Sequence, residues 1–502
     1  RDQRLQGQAV PVRHRAHGVE VVMMRVIALL LLLAPATALA QEVSPILYIN
    51  RCTGGCIING GPDDARTMSS SIPCAGTVSC GGGGCSCSGT SAGTYTIEEF
   101  EDYQGNTGAA ADAEWNMVVQ CMREVYSPYN IVVTDVKPEV VISHTQGIIA
   151  GRPANIGYGG AGIGGIASGA LGCGPQDNVI SFSFANIFGA STQRGRVLEL
   201  CSVAAQETAH SFGLDHAFEF SDGRSACTDP MTYRTDCGGQ KFFRNLGARC
   251  GEFGVRPCDC GGLQNSHQRL INIFGPGTPL TAPPTLSVSA PMNGETVGNG
   301  ATVVATASAQ RGVARLELWL NGYLWVTVKG APFNQSGQPE TAYPLTFPPN
   351  VPNSIIDIVV KAYDDIDAET IAPTITVTKG APCASADTCA AGQKCEAGKC
   401  FWDPPAGELG DACTYPQFCI SGNCLDTSEG KFCSQDCVVG VNDSCPAGFE
   451  CEGAAGGGGV CVTAGAGDDT CCGIGADSRT SSLLALFVVT LVLRRGRRQR
   501  KR

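Results

Sequence analysis

Histidine is scarce in this chain, with 6 among 502 residues. His14 and His17 lie ahead of an export-type leader, so histidine chemistry falls to His144, His210, His216 and His267. No G-x-S-x-G frames a serine nucleophile. The glycine-rich stretch "GYGGAGIGGIASG" lacks the Gly-Lys-Ser/Thr of a phosphate loop, which removes the nucleotide reading. Basic residues are outnumbered, at 35 Lys+Arg against 46 Asp+Glu. Both ends are basic, so the net charge of −11 becomes −22 over residues 41–478. Such a body repels phosphates, and no nucleic-acid partner is expected. The longest apolar runs, 26–40 and 483–493, fall short of the roughly 20 residues of an ordinary spanning helix.

Cysteine, by contrast, is abundant: 28, beside 65 Gly and 28 Pro. A chain of this length divides into several domains, and this cysteine content points to an oxidising compartment. Residues 23–40 read as a signal peptide: a short basic start, the apolar "VIALLLLLAPATALA", and small residues before a cut after Ala40. At the other end, 471–502 joins adjacent Cys471 and Cys472 to a short apolar run and an arginine cluster. This segment resembles the C-terminal sorting tail of myxobacterial surface proteins. The resemblance implies an exported protein at the bacterial cell surface or beyond it, with membrane contact through the tail before processing. A plain transmembrane tail anchor is the competing expectation.

Three zones lie between the ends. Residues 43–275 hold 14 cysteines and read as α+β. "ILYINR", "NIVVTDV" and "NVISFSFANIF" are strand candidates rich in β-branched and aromatic residues. In "ADAEWNMVVQCMREVYSPY" the apolar residues recur at three and four, predicting a helix that Pro128 ends. A second helix covers "RVLELCSVAAQETAHSFG" and stops at Gly213. Residues 282–379 lack cysteine and carry short alternating strands, with Asn321-Gly322 as a two-residue hairpin signal. That spacing predicts a small β-sandwich, and the zone resembles bacterial immunoglobulin-like modules, which implies a spacing role or a surface ligand. Residues 383–461 hold 12 cysteines and no histidine, predicting a disulfide-rich region rather than a zinc–thiolate site.

The chemistry concentrates in "AAQETAHSFGLDH", 204–216. Gln206 and His210 are four apart and share a helix face. Glu207 neighbours that face, Gly213 can turn the chain, and His216 returns toward His210. Neutral imidazoles bind zinc without adding charge, and a carboxylate beside the ion can take a proton from water.

These residues resemble the metzincin clan of metalloproteases, whose motif is HExxHxxGxxH. The resemblance implies one zinc ion with ligands Gln206, His210 and His216, Glu207 as general base, Gly213 as the helix-ending glycine, and Met231 in a methionine turn within "DPMTY". Tyr233 matches a tyrosine that some members place near the metal. Gln206 departs from the motif, since its amide oxygen is a poorer zinc donor than imidazole. Two functions stand at this point. One is a secreted, surface-attached metalloendopeptidase acting on protein or peptide substrates. The other is a non-catalytic adhesion or recognition protein that keeps the fold. His144 is expected to be surface-exposed or hydrogen-bonded, His267 to sit at a polar helix start, Asp215 to orient a ligand, and Asp229 to cap the turn at Pro230.

Overall fold

A computed structural model describes residues 43–464, apart from 82–83, 169–172, 331–340, 429, 438, 440–443 and 455–457. Residues 23–40, read above as a signal peptide, and 471–502, read as a sorting tail, lie outside the described residues. Among the described residues no helix is long and apolar enough to cross a membrane, which corrects the transmembrane expectation. The helices that do form are amphipathic: each keeps polar side chains on part of its surface and buries the rest within the domain.

The first domain is mixed α/β. Its sheet comprises β1 (Ile46–Asn50), β2 (Val132–Thr134), β3 (Thr145–Ile149), β4 (Gly165–Ile166) and β5 (Ile180–Ser183), in the order β2-β1-β3-β5-β4. Three pairings are parallel and only the edge strand β4 runs antiparallel, with Phe182 opposite Ile166. The predicted helices appear as α1 (Asp112–Tyr126) and α2 (Gln193–His210). Thr192 caps α2 by accepting from the Gly195 N–H. Gly147 lets α2 approach the sheet closely, since a Cβ there would lie 2.9 Å from Thr208 Cγ2. Tyr126 fixes the helix pair: its hydroxyl lies 2.7 Å from Thr208 Oγ1 and 3.1 Å from the Ala205 carbonyl. Past α2, β6 (Ala217–Phe220) pairs with β7 (Ala248–Cys250), and α3 (Ser266–Phe274) closes the domain.

The second unit is a two-sheet sandwich. One sheet holds β8 (Thr285–Ala290), β10 (Thr302–Ser308) and β13 (Thr341–Thr346). The other holds β9 (Thr296–Val297), β11 (Arg315–Leu320), β12 (Tyr323–Lys329), β14 (Ser354–Tyr363), β15 (Glu369–Ile371) and β16 (Ile375–Lys379). Alternate residues of β10 and β14 face one shared core, as period-two patterning requires. Asn321 and Gly322 take φ of 49° and 81°, the left-handed pair that a tight hairpin between β11 and β12 needs.

The last region is disulfide-rich. Its bonds interleave three times: Cys383–Cys395 with Cys389–Cys400, Cys413–Cys424 with Cys419–Cys433, and Cys437–Cys451 with Cys445–Cys461. The thiolate zinc alternative is thereby set aside, because every cysteine here is paired. In the first domain the bonds reach further, and Cys121–Cys201 ties α1 to α2 across 80 residues. Replacing both Cys121 and Cys201 by Ser should lower stability by roughly 2–4 kcal/mol, measured by urea unfolding of the oxidised chain.

Candidate metal centre and cleft

Helix α2 delivers Gln206, Glu207 and His210, and the turn after it delivers His216. Gly213 makes that turn at φ 80°, and its N–H donates to the His210 carbonyl at 3.0 Å. A Cβ there would meet Arg269 Nη2 at 2.5 Å and the Cys173 carbonyl at 2.9 Å. The two imidazoles then meet edge to face, ring centroids 4.6 Å apart, with His210 Nε2 only 3.1 Å from His216 Nε2.

The outer nitrogens decide what those inner nitrogens can be. His210 Nδ1 lies 2.8 Å from the Leu214 carbonyl, which can only accept, so Nδ1 carries the proton. His216 Nδ1 lies 2.9 Å from Glu252 Oε1. Arg256 holds the Glu252 carboxyl below the usual range, so it too accepts. In the neutral rings both Nε2 atoms therefore present lone pairs to each other at 3.1 Å. Burial pushes the His210 pKa down to about 4, which disfavours a proton as the bridge. Two converging lone pairs with their outer nitrogens anchored are a donor set that suits a cation.

Glu207, three residues before His210 on the same helix, is only 6% exposed. Edge strand β4 covers it: a Cβ on Gly165 would lie 2.5 to 2.8 Å from its Cγ, Oε1 and Cδ. Burial raises the Glu207 carboxyl to about 8 in the metal-free chain. Gln206, one helical turn before His210, is 5% exposed. Gln206, Glu207 and Tyr233 help line a cleft of about 820 Å³, which Gly164, Gly165, Phe188, Leu198 and Phe253 also line. The two histidines do not form part of its wall.

Met231 is fully buried, and its carbonyl accepts from the Ala217 N–H at 2.6 Å, next in chain to His216. Asp229 caps this turn as expected, accepting from the Met231 N–H at 2.9 Å. Tyr233 is 40% exposed, its ring 4.5 Å from that of His216 and 5.8 Å from that of Phe253. Burial raises the Tyr233 hydroxyl to about 12, so it stays a donor at neutral pH.

Of the expected residues, His210, His216 and Tyr233 meet, while Gln206 and Glu207 line the cleft with Tyr233; the supporting residues differ in part. Asp215 does not touch an imidazole nitrogen; it accepts from the His216 backbone N–H and from Arg256. Glu252, which orients His216, has no motif to mark it, although the Cys250–Cys258 bond brackets both it and Arg256. His144 is buried at 2% rather than at the surface, its Nδ1 facing the Ile142 carbonyl. His267 opens α3 behind the Asn265 cap, with its Nδ1 3.1 Å from the Tyr129 hydroxyl.

Comparison with known proteins adds to the second unit. Residues 284–346 match the bacterial Ig domain family. That segment is an immunoglobulin-like module. No curated protein matches the chain significantly. Among solved structures, the chain is similar to fibronectin(III)-like modules of Clostridium thermocellum CbhA, at 14% identity over 19% of this chain and 96% of that one, TM-score 0.15. It is similar to a Jonesia denitrificans lytic polysaccharide monooxygenase at 13% identity, over 26% and 75%, TM-score 0.15. It is also similar to OgpA from Akkermansia muciniphila at 14% identity, over 48% and 65%, TM-score 0.15. Likenesses this distant carry no argument about the fold of the whole.

The buried carboxyl gives a stability test. In the metal-free chain Glu207 keeps its proton until about pH 8, while unfolded it loses it near its usual 4.5. Between those values the folded state binds more protons, so this residue's contribution falls as pH rises. Glu207→Gln should therefore stabilise the metal-free chain at pH 9 by roughly 1–3 kcal/mol, and far less at pH 4, in denaturant titrations at both pH values.

Proposed function

We propose that this chain is an exported, zinc-dependent endopeptidase of metzincin type. The observation that carries the reading is the approach of His210 Nε2 and His216 Nε2 to 3.1 Å at the end of the helix whose buried Glu207 lines the cleft. His210 and His216 would hold the ion, with the Gln206 amide oxygen as third donor. An ion held there supplies Lewis acidity to the peptide carbonyl and to water. Pairing of all the described cysteines in disulfides supports export to an oxidising compartment.

Each side chain then has a task. Glu252 and the Leu214 carbonyl keep both imidazoles in one tautomer and one orientation. Glu207 takes the proton of the attacking water, a cation alongside bringing its raised pKa down into a working range. Tyr233 donates its hydroxyl to the developing oxyanion. The extended peptide lies along the cleft beside β4, with Phe253 at the rim.

The Gln206 position favours a second reading, a non-catalytic surface protein that keeps the fold, because an amide oxygen binds zinc more weakly than imidazole. The full chain should bind zinc in equilibrium dialysis and cleave a denatured protein, losing activity with chelator and with Glu207→Gln. Gln206→His should tighten zinc binding about tenfold or more. Absence of zinc binding in both the natural chain and this variant would leave the non-catalytic reading.

Phe253 is 78% exposed, so its packing contributes little to the fold. Phe253→Ala should leave the melting temperature unchanged and raise KM for a peptide substrate about three- to tenfold, read from initial rates.

A further inference from the structure

The peptidase reading so far gives the immunoglobulin-like module no part in the site, yet its contact with the first domain is unlike a flexible tether. Arg311, between β10 and β11, donates through Nε and Nη2 to Asp365 at 2.8 and 3.1 Å, a two-pronged fork. The same Nη2 reaches across to the Phe243 carbonyl at 3.0 Å. In return, Arg244 of the first domain donates through Nη1 to the Arg311 carbonyl at 2.5 Å and lies 3.4 Å from Asp365. Arg244 and Arg311 are fully buried and the Asp365 side chain is 2% exposed. Both guanidiniums also lie against Phe242, at 4.7 and 5.6 Å from its ring. Separating such a cluster strands buried charge, which is strongly unfavourable.

Arg244 is also the clasp of the loop 228–244. Its backbone N–H donates to Asp229 Oδ2 at 2.9 Å, while Asp229 Oδ1 holds the Met231 N–H. Its Nε and the Phe242 N–H both donate to the Thr228 carbonyl, at 3.3 and 3.1 Å. The loop so closed carries Met231 and Tyr233, and Lys241 ties its interior by donating to the Thr232 and Arg234 carbonyls. A second strut is Gln310, whose amide donates to Glu124 of α1 at 2.8 Å and lies 3.3 Å from Gln240 Oε1.

We infer that the immunoglobulin-like module is a built-in positioning element of the site: Asp365, acting through Arg311 and Arg244, sets the loop that carries Met231 and Tyr233. This rests on the peptidase reading for its effect on rate, but not for its effect on the loop. Asp365 touches no reacting atom, so it is a positioning residue.

The test compares the full natural chain with Asp365→Asn, Asp365→Glu and Gln310→Ala, using hydrogen exchange by mass spectrometry and steady-state cleavage of one peptide. Asp365→Asn should raise amide exchange in 228–244 about tenfold or more while 112–126 stays within about twofold. It should lower kcat about ten- to hundredfold with KM nearly unchanged, and Asp365→Glu should recover part of that loss. Gln310→Ala, which frees Gln240 and Glu124, should raise exchange in 228–244 at smaller amplitude while β3 and β5 stay unchanged, and it decides the matter if Asp365→Asn does not fold. Unchanged loop exchange, or a uniform rise through both domains, overturns the inference. If the natural chain neither binds zinc nor cleaves peptide, the peptidase reading fails, and loop exchange alone still decides the brace.

Discussion

The meeting of the His210 and His216 Nε2 atoms at 3.1 Å is the constraint on which the geometry of the site depends. Several surrounding groups fix that approach. Gly213 turns the chain where any side chain would collide, the Leu214 carbonyl and Glu252 take the outer protons, and Arg256 keeps Glu252 ionised. Helix α2 is fixed in turn by the close approach at Gly147, by Tyr126 and by the bond to Cys121. Sheet, helices and disulfides together act as the frame that brings the two imidazoles to one meeting point.

The site is asymmetric in its polarity. On one side, ionised carboxylates and Arg256 form a charged lattice behind His216. On the other, Glu207 is buried under backbone of β4, where nothing but desolvation acts on its pKa. The charged side fixes geometry, and the dry side leaves a carboxyl whose proton affinity responds strongly to any cation placed next to it.

Much of this was legible in the sequence. The spacing of Gln206, Glu207, His210, Gly213 and His216 follows from helix periodicity and one glycine, both local properties. Helices α1 and α2 and the Asn321-Gly322 hairpin were readable for the same reason. What escaped was set by distance along the chain. Glu252 lies 36 residues beyond His216. Asp365 reaches Arg311 across 54 residues, and Arg311 in turn reaches Phe243 across a domain boundary. Of the two places expected for His144, surface or hydrogen-bonded, the second holds, and its burial follows from a strand order that a lone polar residue does not signal. Strand order and disulfide partners are combinatorial, and composition fixes neither.

The interleaved bonds of residues 383–461 have a consequence for how the protein is made. Each of these closures spans between 11 and 16 residues, whereas Cys121–Cys201 and Cys173–Cys260 span 80 and 87. Short closures cost less chain entropy, so each can form within its own segment once the chain meets oxidising conditions. The C-terminal units can therefore mature one by one, and a mispaired long-range bond in the N-terminal domain need not propagate into them.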